Sequence, residues 1–219
     1  MKRSGNAAGR SPVEWAARER RKARKGVRRR VTAWVGLNPA AKRADALTVR
    51  AAHGAAAEKA TGAQLRVLES RGWFVLHGRQ VPGFRADLDH VLVPPTGTAV
   101  VVLDTKGWHA GWETTLRGGR VHCDLEDRHE QIEAVARYAA RVDRVLGMPG
   151  VAVWPLLVVH GSRIRGGHLA APVASGGVVH VLSVERLVPE LVKAARGMDP
   201  VAAGVLARRV TAVLPPHRQ

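Results

Sequence analysis

Two hydrophobic spacings alternate along the chain. Over residues 40–71 the positions Leu47, Ala51, Gly54, Glu58, Thr61, Leu65 and Leu68 recur at three- and four-residue steps, which predicts a helix ended by Gly72. The pattern then becomes that of strands: residues 73–81, 87–93 and 98–106, separated by a Pro82-Gly83 turn and a turn over residues 94–97. Residues 107–128 are rich in glycine and charge, with room for a hairpin over 112–121. Helical spacing returns over residues 129–147, where Gln131, Val135, Tyr138, Val142 and Val145 mark one face. An apolar strand follows at 151–161, in which Pro155 suggests a bulge or an edge position. A short strand, VVHVLS, and helices over 184–196 and 200–213 close the chain.

The predicted order is helix, three-stranded meander, helix, strand, followed by helices, so the fold class is α/β. Strands two and three are apolar on both faces away from their charged ends, and the sheet is expected to be covered on each side. The boundaries predicted are an arm over residues 1–38, a body over 39–183 and a helical extension over 184–219.

Charge sharpens the picture of the arm. The chain of 219 residues carries a net charge of +17. The first 50 residues hold 15 Lys or Arg against Glu14, Glu19 and Asp45, a net +12, so most of the excess sits there. Its densest part contains Arg20, Arg21, Lys22, Arg24, Lys25, Arg28, Arg29 and Arg30. Such a run neutralises phosphates without reading sequence, which makes these eight residues the candidate nucleic-acid contacts. Cys123 is the sole cysteine, which excludes an intrachain disulfide and a cysteine metal cluster and fits a reducing cytoplasm. No stretch approaches the roughly 20 apolar residues of a membrane-spanning helix. The glycines around Arg163 to His168 lack the P-loop pattern, which argues against nucleotide hydrolysis by that route.

The candidate chemistry lies where the second and third strands become charged. In VVVLDTKGW, residues 100–108, Asp104 and Lys106 are two apart and project from one side of a strand. Upstream, ADLDHVLV places Asp89 at the mouth of the neighbouring strand, with Asp87 on the same face as an alternative. His90 is expected to point away. Magnesium prefers oxygen ligands and usually takes one or two carboxylates while keeping waters and substrate phosphate, so Asp89 and Asp104 suit it. Lys106 is placed to orient an attacking water and to stabilise charge, and proximity to a metal would ease loss of its proton. Glu58 belongs to the apolar stripe of the first helix, where an inward carboxylate needs a cation or donor to meet it. Gln131 opens the predicted inward face of the second helix, where its amide could hold the water or a carboxylate. Trp108 could pack in the core or wall a cleft, and His129 lies two residues from Gln131.

At these residues the chain resembles the nuclease-related domain (NERD) family, a branch of the PD-(D/E)xK nuclease superfamily. The resemblance rests on GAAAEKATG with Glu58, RGWFVLHGRQVPG, ADLDHVLVPPTGTAVVVLDTKGW with Asp89, Asp104 and Lys106, and HEQIEAVARYA with Gln131. It covers residues 54–160. It implies a restriction-endonuclease-like core and magnesium-dependent cleavage of DNA, with manganese as a possible substitute. By position, Glu58, Asp89 and Asp104 would be the acidic, metal-holding set, Lys106 the catalytic lysine and Gln131 the helical motif residue. Two departures stand out: Asp104 where the family commonly has Glu, and Ala57 before Glu58 where many members have Gly. The rival readings are a nucleic-acid-binding module of the same fold without turnover, and a protein-interaction or assembly domain.

Overall fold

The computed structural model describes residues 39–84 and 87–217, so the basic run and the contacts predicted for it lie outside the described residues. The chain divides into two units, and the one over Ala57–His217 holds both sheets. Among the described residues the fold is mixed α/β, with four α-helices and two mixed sheets.

Helix α1 (Pro39–Glu69) leads into β1 (Phe74–Gln80), β2 (Asp87–Val93) and β3 (Ala99–Gly107). After an inserted segment come α2 (His129–Leu146) and β7 (Ala152–His160). β1, β2 and β3 pair antiparallel, whereas β7 runs parallel to β3 from Ala99↔Ala152 to Gly107↔His160. A parallel return needs a crossover, and α2 supplies it. β10 (Val178–Ser183) joins β7 in parallel and β9 (His168–Pro172) closes the edge, giving the order β1-β2-β3-β7-β10-β9.

Both faces of this sheet are covered, as the apolar character of β2 and β3 requires. On one face Leu65 and Leu68 of α1, with Leu187 and Leu191 of α3 (Val184–Ala194), pack on Leu92, Val101, Leu103 and Leu156. On the other, Ala139, Val142 and Leu146 of α2, with Leu206 and Val210 of α4 (Pro200–Val213), pack on Val91, Val93, Val100 and Val102. Both closing helices agree with the sequence reading.

Three details differ from it. Residues 107–128 with 163–164 build a second sheet of four short strands, β4 (Glu113–Arg117), β5 (Arg120–Cys123), β6 (Glu126–Asp127) and β8 (Arg163–Ile164). The β4–β5 hairpin turns on Gly118 and Gly119, both at positive φ, as a two-residue turn matching strand twist demands. Pro155 lies in a central strand, not an edge one; β10 begins its pairing only at Leu156, so at Pro155 the strand has one neighbour. In α1, Thr61, Leu65 and Leu68 are buried but Leu47 is exposed, so only the later part of the predicted stripe is covered.

Candidate active site

The β2–β3 ladder pairs Leu92 with Val101, Val91 with Val102 and His90 with Leu103. One step further in the same register Asp89 falls opposite Asp104, and there the backbone ladder stops. The Thr105 N–H donates to Asp89 Oδ2 at 2.6 Å, so a side chain replaces the next strand carbonyl. Alternation puts Val102, Asp104 and Lys106 on one face of β3 and Leu103 and Thr105 on the other. His90, itself buried, points away from Asp89, as expected, to a part-buried contact with His77 at 2.8 Å between the two Nδ1 atoms. Lys106 Nζ forms an ion pair with Asp104 Oδ2.

Two carboxylates opposed across a hairpin repel each other, and low solvation strengthens the effect. Burial, and after it the Asp104 charge, pushes the Asp89 carboxyl up to about 8, against the pull of Lys106 and the Thr105 amide. Burial also raises Glu58, with Asp104 the next cause. Desolvation alone would lower Lys106, but Asp104, as a charge and as a hydrogen-bond acceptor, outweighs it and holds the ammonium above its ordinary range.

Glu58 reaches this group from the opposite face. It lies in α1 one turn before Thr61, whose hydroxyl is 2.7 Å from His160 Nε2 and accepts from Thr105 Oγ1 at 3.3 Å. These bonds tie α1 to the ends of β3 and β7 and bring Glu58 within electrostatic range of Asp104, Lys106 and Asp87. Among the described residues no three His, Cys, Asp or Glu side chains gather closely enough to hold a metal ion. The expected acids are thus an opposed pair, Asp89 and Asp104, joined by Glu58 through its field.

Gln131 stands at the flank of the buried stripe of α2, not at its head, because the stripe is His129, Ile132, Val135, Ala139, Val142 and Leu146. The Trp108 indole donates to Gln131 Oε1 at 3.1 Å. An indole N–H only donates, so the Gln131 oxygen must face it. The amide nitrogen has no partner among the described residues. Trp108 itself is core: it is buried and packs with Val121, Ile132 and Leu157. Gly161, at φ 88°, lets β7 end against it; a Cβ there would lie 2.3 Å from the Trp108 carbonyl oxygen.

Two weaker candidates are otherwise engaged. His129 is buried, accepts from the Val121 N–H at 3.3 Å and lies 3.5 Å from Glu133. Asp87 pairs with His217 at 2.9 Å. Conversely, Tyr138, read from sequence only as part of an apolar face, lies within electrostatic range of Lys106. Its signal was a phenol seven residues after Gln131, two helical turns on the same side.

Fold and site together define a mixed α/β domain with an acid–lysine group at the end of a hairpin. Residues 53–160, about half of the chain, match the nuclease-related domain, and this stretch belongs to that family, NERD. The match runs from within α1 to the last residue of β7, so it contains every member of the group. No curated protein and no solved structure matches the chain. Among the described residues no helix is long and apolar enough to cross a membrane.

Proposed function

We propose that the protein is a metal-dependent nuclease that hydrolyses phosphodiester bonds in DNA, using a restriction-endonuclease-like core made of α1, β1, β2, β3, α2 and β7. The observation that carries the reading is the opposition of Asp89 and Asp104 beside Lys106, within a nuclease-related domain.

The residues fit magnesium, or manganese in its place. A pair of largely buried carboxylates, one of them raised to about 8 by burial and then by the other's charge, is a donor set short of positive charge. Asp89 and Asp104 would hold the ion, with Glu58 adding charge, and waters and substrate would complete its shell. When bound, magnesium supplies Lewis-acid stabilisation of charge on the phosphoryl oxygens and eases ionisation of water. Lys106 acts as a cation: its ammonium is held by Asp104, and it stabilises the negative charge that develops as the P–O bond breaks. The Gln131 amide nitrogen, left free by the Trp108 bond, donates to the water or to a phosphate oxygen. The arm holds the backbone of the substrate, with Arg20, Arg21, Lys22, Arg24, Lys25, Arg28, Arg29 and Arg30 as its contacts.

Cleavage of linear, circular and single-stranded DNA with magnesium, manganese or EDTA tests the reading. Metal-dependent cutting that Lys106→Ala abolishes is expected; cutting that survives it would defeat the mechanism. Removing residues 1–35 is expected to weaken DNA binding and flatten its salt dependence, and unchanged affinity and slope would remove the arm from the scheme. The rival reading is a binding module of this fold without turnover. Salt-sensitive DNA binding without cutting under any metal is its signature.

A further inference from the structure

One flank of α2 carries a row of polar groups beside the core, against which the Tyr138 ring is partly packed. Gln131, Tyr138 and Arg141 fall at steps of seven and three residues, one line along the helix about 15 Å long at 1.5 Å per residue. Their chemistry is an amide with a free N–H group, a phenol and a guanidinium. Tyr138 lies within electrostatic range of Lys106. Phe84, in the turn that leads into β2, packs edge-on against it, with ring centroids 5.9 Å apart and planes at 82°. Phe84 is 39% exposed, and the Tyr138 hydroxyl has no hydrogen-bond partner among the described residues. Arg141 holds the turn in place: Nε and Nη2 both donate to the Pro82 carbonyl, at 3.1 and 3.0 Å. Among the described residues it has no carboxylate partner, so its charge is not offset.

An exposed ring beside an uncompensated guanidinium is what a nucleic-acid strand with accessible bases needs, because rings stack on base faces while cations follow the phosphates. A duplex hides its base faces. We propose that Gln131, Tyr138 and Arg141, with Phe84, form a track for single-stranded DNA, in which an unpaired base next to the phosphate at Lys106 stacks on Phe84. The track rests on the nuclease reading for its orientation, and it gives that site a preference for single-stranded or locally opened DNA.

Binding without cleavage tests it. The full chain is titrated, in EDTA and at raised salt to quieten the arm, with a fluorescein-labelled single-stranded oligodeoxynucleotide and with the duplex of the same sequence. Phe84→Ala is expected to weaken single-strand binding roughly tenfold and to leave duplex binding unchanged. Arg141→Gln is expected to lower the salt slope by about one. Equal losses on both substrates, or none on the single strand, would overturn the track. A scan of abasic oligonucleotides against the unaltered protein needs no variant: one position is expected to reproduce the loss and to cost nothing further in Phe84→Ala, and a flat scan would overturn the track. Cleavage by the unaltered protein, measured separately, keeps the two ideas apart. A flat scan with metal-dependent cutting removes the track alone, whereas a single sensitive position without cutting keeps the track and removes the nuclease.

Discussion

The two ends of β3 are built on one strand and do opposite things. At its C-terminal end Asp104 and Lys106 face Asp89 across a ladder that has just stopped. At its N-terminal end Ala99 and Val101 line an apolar cleft of about 410 Å³ with Trp73, Trp154, Leu156 and His180. The cleft offers concavity without opposed charge: its one carboxylate, Glu190, is taken by Arg186, and His168 and His180 bond each other at 2.9 Å. Volume favours the apolar end and chemistry favours the charged one. Hydrolysing a phosphodiester requires charge to be met at the phosphoryl oxygens, so the charged end is where activity is expected.

The largest expected effect breaks the symmetry of that comparison. Asp104→Ala removes a carboxylate that faces Asp89 and holds Lys106, and cleavage should fall by roughly a thousandfold, about 4 kcal/mol of transition-state stabilisation. Trp154→Ala, at the other end and 48% exposed, should leave the cleavage rate within about twofold. Equal losses from both would mean that the two ends form one site.

The strand between them is the shared support. Leu103 is fully buried between Asp104 and Val102 in sequence and packs with Leu65, Leu92 and Leu156 on the α1 face. Leu103→Ala should cost about 3 kcal/mol of folding stability through lost burial and the cavity left behind. Chemical denaturation would read it. A cost below about 1 kcal/mol would show that α1 collapses onto the gap, and that the register of β3 is fixed by its other face.

Much of this architecture was legible because a strand buried on both faces must read as an unbroken apolar run, as β2 and β3 do. The charged ends of such runs are conspicuous, which is why Asp89, Asp104 and Lys106 could be singled out before any coordinates. Helical spacing adds Glu58 and Gln131, the family resemblance assigns them matching roles, and residues 53–160 carry that family's match. Less visible were elements stabilised by partners instead of by their own pattern. β8 has two residues and β9 five, and neither has a periodicity to detect. The spacing of Gln131, Tyr138 and Val145 sets the predicted face of α2 one position from the buried line of Ile132, Ala139 and Leu146, and the two faces share Val135 and Val142. Tyr138 is partly packed against the core from this flank and lies within electrostatic range of Lys106. Pairings such as Asp87 with His217 depend on the path of the C-terminus, and no local pattern encodes that.

The smallest expected effect separates the two ends by pH alone. With Asp89 raised to about 8 from its ordinary value of 3.8, the metal-free native state keeps a proton there that the unfolded chain has already lost. The unfolded state then binds fewer protons, so stability falls as pH rises toward and through 8. Between pH 7.5 and 9 the loss should be about 1 kcal/mol, a drop of roughly 2–4 °C in melting temperature for a chain of this size. Glu58, raised by burial and by Asp104, acts in the same direction as Asp89, whereas the two other shifted groups near the site titrate elsewhere. His90, lowered to about 4 by burial and by His77, adds stability as pH rises from 4 to 6.5, and Lys106, raised, loses its contribution only above 10.5. A chain with a net charge of +17 also sheds positive charge as pH rises, which relieves self-repulsion and acts in the opposite direction. Asp89→Asn carries that background without the carboxyl, so the difference between the two pH profiles isolates the site. Parallel profiles would mean that Asp89 is already ionised in the native protein, and that the opposed carboxylates are solvated enough to need no cation between them.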